Sequence, residues 1–291
     1  MRDIARRAKV VFILVYLLLL YYLLYKLLPT ALQPPPNPLA ALASLVVFLT
    51  AEVIRSARLA LLYWGRLDHN VFWKALRARL AGNVVAIVTP SVAGGEVVRG
   101  LVLHGELSWG AARAIGIASI DGGLDMVIDY ALALVALLLG AAPAAPLPEL
   151  LSLPPALLWI LVLVLITTRH AHRMLEALAG RLKEGRLGRI SGLVNEVSGI
   201  HVPPYRLAAS LLLSIAAWLL QTLSYALYSG IELDKSLGCV TELYLMGVIP
   251  SPGGIGPGEL LLANSCPGIA SWRAAALLVS TVPGIPLVLK K

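Results

Sequence analysis

Apolar runs of membrane-spanning length alternate with short polar stretches along the whole chain. Val10 to Leu28 is 19 residues long with Lys26 as its single charge, behind the basic opening MRDIARRAK. A signal peptide has a shorter apolar core, so this run predicts a retained first helix, with Tyr21, Tyr22 and Tyr25 in an interfacial belt. PTALQPPPNP is uncharged and proline-stiffened, as suits an outer turn. Pro38 to Trp64 predicts a second helix. GRLDHNVFWKALRARLAG carries four basic residues and one acid, and predicts an inside loop with an amphipathic turn. Ala114 to Gly140 is the next full span, and AAPAAPLPELLSLPP an outer loop. Pro155 to Thr168 is only 14 residues, about 21 Å of helix, and is expected to continue through Arg169 and His170 with their polar ends snorkelling. Residues 169–206 hold seven basic and three acidic groups and form the main cytoplasmic loop. Leu207 to Ser229, the outer turn IELDKSLG and a last helix from Ser271 to Leu289 complete the pattern.

Two apolar segments are broken in the middle. In 83–104 the sequence NVVAIVTPSVAGGEVVRGLVLH is interrupted by Pro90, Ser91, Gly94 and Gly95, with Glu96 and Arg99 directly after. Roughly ten residues on each side is about 15 Å of helix, half of a ~30 Å hydrocarbon core. Residues 239–266 repeat the pattern with Pro250, Ser251, Gly253, Gly254 and Gly256, then Glu259. Each reads as a re-entrant hairpin, because irregular backbone at mid-depth is tolerated only where protein or water surrounds it. The plainer alternative is two loops that needed proline and glycine to turn. Two interrupted segments in corresponding places suggest an inverted repeat. The expected fold is therefore a single all-α integral membrane domain over 1–291, with about six transmembrane helices plus the two hairpins.

Composition agrees. The 291 residues are 58% hydrophobic and 14% charged, against about 25% charged in soluble domains. Net charge is +8, but the basic groups fall in the inside loops, which favours an anionic leaflet over nucleic acid and places both termini in the cytoplasm of a multi-pass cell-membrane protein. No long polar segment suggests a separate catalytic domain. Two cysteines exclude a disulfide framework or a four-cysteine metal site. Cys239 and Cys266 begin and end the second hairpin, so their Cα atoms should lie within roughly 15 Å, about one and a half helix spacings. A disulfide needs roughly 4.4–6.8 Å, closer than helices ordinarily pack, so two unbonded small residues at the outer surface are expected.

The candidate chemistry is a set of charges inside apolar runs. Glu52, Arg55 and Arg58 share one broad face of the second helix, and Asp121, Asp125 and Asp129 form a stripe four residues apart. Counting Glu96, Glu242 and Glu259, seven acids face three clear bases, Arg55, Arg58 and Arg99. Intramembrane charges mark a substrate path, an ion site or a proton relay; some of these also form ion pairs that lock the bundle. The acid surplus implies protonated carboxylates or an entering cation. Helix N-termini at the two breaks offer backbone donors to an anionic head group. The histidines at 69, 104, 170, 172 and 201 fall in loops or at helix ends, so no zinc site is expected. Ser91 lacks a buried histidine partner for serine-protease chemistry, and GGIGPGE lacks the lysine of a phosphate loop.

Asn83, TPSVAGGEVVRGLVL, the acidic pair of IDGGLDM and PSPGGIGPGE resemble the lysylphosphatidylglycerol synthase transmembrane region, the flippase-like domain of multiple peptide resistance factors. The family's asparagine, proline, glycine, glutamate and arginine map to Asn83, Pro90, Gly95, Glu96 and Arg99. Its later glutamate-arginine pair becomes Asp121 and Gly122, with Asp125 four residues on from the first. Where the family often has a further arginine, this chain offers Ser280 or Thr281. The resemblance implies binding or translocation of polar-headed membrane lipids with anionic or lipid-linked head groups, without aminoacyl-lipid synthesis. On it, Arg99 holds phosphate, and Glu96, Asp121, Asp125 and Glu259 relay protons or bind a cationic group, with Asn83, Arg55 and Arg58 completing the substrate site. No cofactor, catalytic residue or metal is expected, and assembly into a homo-oligomer is left open. The competing function is a proton- or cation-coupled carrier of a small soluble solute.

Overall fold

A computed structural model describes residues 25, 28–29, 31–89, 93–105, 110–144, 146–168, 200–249, 251 and 254–289. The predicted first helix is therefore almost wholly outside the described residues. So are Pro90, Ser91, Pro250 and Gly253 of the two turns, and residues 169–199 of the predicted cytoplasmic loop. The described residues are helical, with no strand among them. Among the described residues, four helical stretches are long and apolar enough to cross a membrane: Pro38–Trp64, Leu147–Thr167, Pro204–Ser229 and Ile269–Leu289.

Helix α1, Pro38–Trp64, shows how the chain sorts its surfaces. Asn37 caps it by accepting from the N–H groups of Leu39 and Ala40 at 3.0 and 3.2 Å, and Pro38 supplies a first turn that needs no donor. Gly65 ends it at φ +67°, a left-handed conformation that glycine adopts at little cost. Leu39, Leu42, Val46, Leu49 and Val53 recur at intervals of three and four and are exposed. Glu52, Arg55 and Arg58 on the other side are buried. A protein in water would place these faces the other way round; lipid as solvent explains the order.

α2, His69–Val88, and α3, Ala93–His104, form the first hairpin. The arms pack closely because glycines face each other: a Cβ built on Gly95 would stand 2.8 Å from the carbonyl oxygen of Gly82. The first arm does not begin at Asn83, where the expected hairpin started. It starts at His69, capped by Asp68, and its 20 residues extend about 30 Å. The stretch read as an inside loop is the first half of this helix, because Val71, Ala75 and Ala78 pack into the core.

α4, Ala111–Leu138, is the span that carries the aspartates. α5, Leu147–Thr167, corrects the outer-loop assignment: the helix extends backwards through PELLSLPP. Pro148 lies in its first turn, where no amide donor is needed. The N–H groups lost at Pro154 and Pro155 are tolerated beside a Ser152 hydroxyl that bonds back to the Pro148 carbonyl at 2.7 Å. α6, Pro204–Ser229, begins three residues before the expected start and runs along α1 through small residues, with Ser44 and Ser224 hydroxyls 3.0 Å apart.

The second hairpin consists of α7, Leu233–Leu245, a 3-10 turn at Met246–Val248, and α8, Pro257–Leu262. Gly254 and Gly256 take φ of +67° and +117° at its turn, conformations closed to most side chains. Cys239 and Cys266 are joined by a disulfide with Cα atoms 5.9 Å apart, and both are buried. That overturns the expectation of two unbonded surface residues. Gly258 is the physical reason: a Cβ there would stand 2.7 Å from the Leu243 carbonyl oxygen, so the arms lie closer than ordinary helices do. α9, Ile269–Thr281, follows, then a 3-10 turn at Val282–Gly284 and α10, Ile285–Leu289. α9 and α10 pack against α2, which brings the end of the chain to the first hairpin.

Candidate functional site

The two hairpins and helices α1, α4, α6 and α9 converge on a cavity of about 190 Å³. Its lining combines the charged Glu52, Arg55, Arg79, Glu96, Arg99 and Asp125 with the apolar Phe48, Ile87 and Leu277.

Behind the wall a fully enclosed ion-pair core sets the geometry. Arg58 has no exposed side-chain surface and spends its donors on Asp121 (Nε to Oδ1, 2.6 Å), Asp125 (Nη1 to Oδ1, 2.6 Å; Nη2 to Oδ2, 2.9 Å), the Asp121 carbonyl and the Ser214 hydroxyl. Arg79 joins Glu52 at 2.8 Å to Asp121 at 3.2 Å. Arg55 bonds Glu52 at 3.0 Å, faces Asp125 at 3.5 Å and donates to Gln221. Buried charges survive in a low-dielectric interior only when paired and hydrogen-bonded in this way.

The network continues across the cavity. Gln221 donates to the Tyr244 hydroxyl at 2.6 Å, and the Arg273 guanidinium lies over the Tyr244 ring at 4.7 Å. Arg273 is held by Glu259 at 3.1 Å, and Glu259 also accepts the Gly256 N–H at 2.7 Å. The expected backbone donor at the second break is therefore occupied by the protein's own carboxylate. Arg55 also stacks over Trp218, at 5.2 Å.

Arg99 is different. Its Nη2 donates to the Asn83 side chain at 2.9 Å, its nearest carboxylate oxygen, on Asp121, is 3.9 Å away, and its Nε has no hydrogen-bond partner. Among the cavity arginines it is the one with no carboxylate closer than 3.9 Å, against 2.8 to 3.1 Å for Arg55, Arg79 and Arg273. Glu96, one helical turn earlier, faces Gly122, where an added Cβ would overlap its Oε1. The space that a side chain at Gly122 would need is filled by the Glu96 carboxylate.

Of the expected site residues, Arg99, Glu96, Asn83, Asp125 and Arg55 line the cavity, while Arg58, Asp121 and Glu259 lie behind it and hold other residues in place. Gly94 and Gly95 close the first hairpin; Ser251, Gly254 and Gly256 shape the second, with Gly254 accepting from Arg273 at 3.3 Å. Glu242 does not belong to the polar centre: its carboxylate takes the Ala144 N–H, at 2.8 and 3.1 Å, near the start of α5.

Arg79 and Arg273 were missed. Arg79 sits four residues before Asn83 on the same helix face, and Arg273 is a lone charge in an apolar span, the signal that found Arg55 and Arg58. Arg273 also places a guanidinium two turns before Ser280 on α9, the helix where the family's later arginine was sought. With both included and Glu242 removed, the acid surplus shrinks to one: Glu52, Glu96, Asp121, Asp125, Asp129 and Glu259 against Arg55, Arg58, Arg79, Arg99 and Arg273. No group of three or more His, Cys, Asp or Glu residues among the described residues could hold a metal ion.

No curated protein and no solved structure matches the chain. The family model described as the lysylphosphatidylglycerol synthase TM region matches residues 7–282, nearly the whole length, and the chain is a membrane protein that belongs to this family.

Proposed function

We propose that this protein binds a polar-headed membrane lipid, or a lipid-linked head group, by its head group and carries it across the bilayer. The observation that carries the reading is Arg99, a buried cavity-lining guanidinium that bonds the neutral Asn83 side chain and whose nearest carboxylate oxygen is 3.9 Å away. A phosphate oxygen in the cavity would give this guanidinium the close anionic partner it lacks, through a charge-assisted bond. Arg55, Arg79 and Arg273 line the same space in ion pairs with Glu52 and Glu259, and Phe48, Ile87 and Leu277 add apolar surface to it. In this reading the two hairpins are re-entrant, their turns lie at mid-depth, and both termini are cytoplasmic. The protein acts as a transporter rather than an enzyme, with membrane lipids as its partners.

The cavity's size favours a second reading. About 190 Å³ is below the roughly 300–1,000 Å³ of common small-molecule pockets, so it suits a head group or a small solute but not a whole lipid. The test uses purified protein in phosphatidylglycerol vesicles that contain head-group-labelled fluorescent phosphatidylglycerol. Faster exposure of the label to an external quencher than in empty vesicles, lost with Arg99→Gln, supports lipid translocation. Rates equal to those of empty vesicles reject it for this class of head group and leave the solute carrier as the reading to pursue.

A further inference from the structure

Asp129 is a buried acid of the polar centre that enters no ion pair among the described residues. It lies one helical turn from Asp125 on α4, about 6 Å along the axis, and does not line the cavity. It is 2% exposed, its Oδ1 accepts no hydrogen bond, and among the described residues no ion pair reaches it. The charged and titratable groups around it are Asp125 on its own helix, Arg55 on α1, Tyr244 on α7 and Arg273 on α9. Of the other elements packed against α4, α3 adds Glu96 and Arg99 and α7 adds Glu242, which is bonded to the Ala144 N–H; α5 adds Glu149 and α6 Arg206, each in its first turn. Both arginines are committed elsewhere, Arg55 to Glu52, Asp125 and Gln221, and Arg273 to Glu259. An ionised carboxylate left in that position would be a buried charge without a counter-ion, the costliest arrangement an interior can hold.

We propose that Asp129 is a proton-binding site, and that binding and release of this proton couples the cavity to a transmembrane proton gradient. The inference rests on the transport reading above, whose energy source it supplies. With Asp129 neutral, the remaining five acids balance the five arginines. When the Oδ–H bond breaks and the proton passes to solvent, the new carboxylate competes for the nearest cation with slack. That cation is Arg55, whose contact with Asp125 is the looser of the two arginine contacts there, at 3.5 Å against 2.6 Å for Arg58. Arg55 lines the cavity, so its movement changes the charge presented to a bound head group. A metal ion in place of the proton would need several further oxygen ligands, and none of the clusters that hold one occurs among the described residues.

Two measurements test this. The first is infrared difference spectroscopy of reconstituted protein at neutral pH, reading the carbonyl stretch of a protonated carboxylic acid. Glu149, also buried without hydrogen bonds to its carboxylate, is a second source of such a band, so the readout is the component lost on substitution. Asp129→Asn, an isosteric neutral mimic, removes one component and Glu149→Gln does not remove the same one. An Asp129→Asn spectrum with no missing component overturns the proton site, whether or not lipid moves. The second uses the fluorescent phosphatidylglycerol vesicles with an imposed pH gradient. The wild-type rate rises with the gradient, and the Asp129→Asn rate falls to its no-gradient value. A band lost together with a wild-type rate indifferent to the gradient overturns the coupling. A wild type that moves no labelled lipid defeats the transport reading alone, since the infrared result stands apart from it.

Discussion

Arg58 and Asp121, sixty-three residues apart in sequence, meet at 2.6 Å between Nε and Oδ1, and neither side chain touches the surface. The pair ties α1 to α4 at the centre of the bundle, and through Asp121 it reaches Arg79 on the first hairpin. Removing one member of such a pair leaves an uncompensated charge where neither water nor lipid head groups can reach it.

Asp121→Asn should therefore destabilise the folded protein by about 3–5 kcal/mol, the usual cost of breaking a buried ion pair. Asp125→Asn, whose side chain is 21% exposed in the cavity wall, should leave the protein folded while abolishing translocation. Thermal unfolding in detergent beside the vesicle assay separates the two. An Asp121→Asn protein as stable as wild type would show that the core pair is not structural.

Arg99 should be replaceable by lysine for charge but not for geometry. A charge-assisted hydrogen bond contributes about 1.5–3 kcal/mol, so Arg99→Gln should weaken phosphatidylglycerol binding by roughly ten- to a hundredfold, and Arg99→Lys by less. Neither should lower thermal stability much, because what Arg99 loses is one bond to a neutral side chain and a carboxylate contact at 3.9 Å. Unaltered binding by Arg99→Gln in a vesicle flotation titration would remove the anchor from the mechanism.

Reduction of Cys239–Cys266, or Cys239→Ser with Cys266→Ser, frees a loop closed over 27 residues. The expected cost is about 2–4 kcal/mol of stability. Unfolding followed with and without reductant checks it. A transition that does not shift would mean that close packing of the arms at Gly258, and not the bond, holds the second hairpin.

Gly122→Ala and Gly95→Ala should behave differently. At Gly122 the obstacle is the end of the flexible Glu96 side chain, so the alanine variant folds but displaces Glu96 and alters ligand binding. At Gly95 the obstacles are the Gly82 carbonyl and the Ala86 Cβ, which cannot swing away. Overpacking there should cost about 1–3 kcal/mol. Equal stability of the two variants, read by thermal unfolding, would disprove the close approach of the first hairpin's arms.

Much of this arrangement follows from the chain alone, and the reason is the solvent. A charge inside an apolar run has no acceptable place in lipid, so Glu52, Arg55, Arg58 and the aspartates had to face inward, and helical spacing put them on defined faces. Proline and glycine in the middle of an apolar segment likewise had to turn the backbone, which located both hairpins. Periodicity assigns a face but not what that face meets. Which arginine reaches which acid depends on where helices cross and how far side chains extend, so Arg79 joined Glu52 and Asp121, Arg273 joined Glu259, and Glu242 turned away to a backbone amide. The bond between Cys239 and Cys266 was also decided by packing, because a glycine let two arms approach within disulfide reach. Tertiary structure alone left Asp129 without an ion pair among the described residues, because only the crossing of the helices decides which arginines come within reach of which acid.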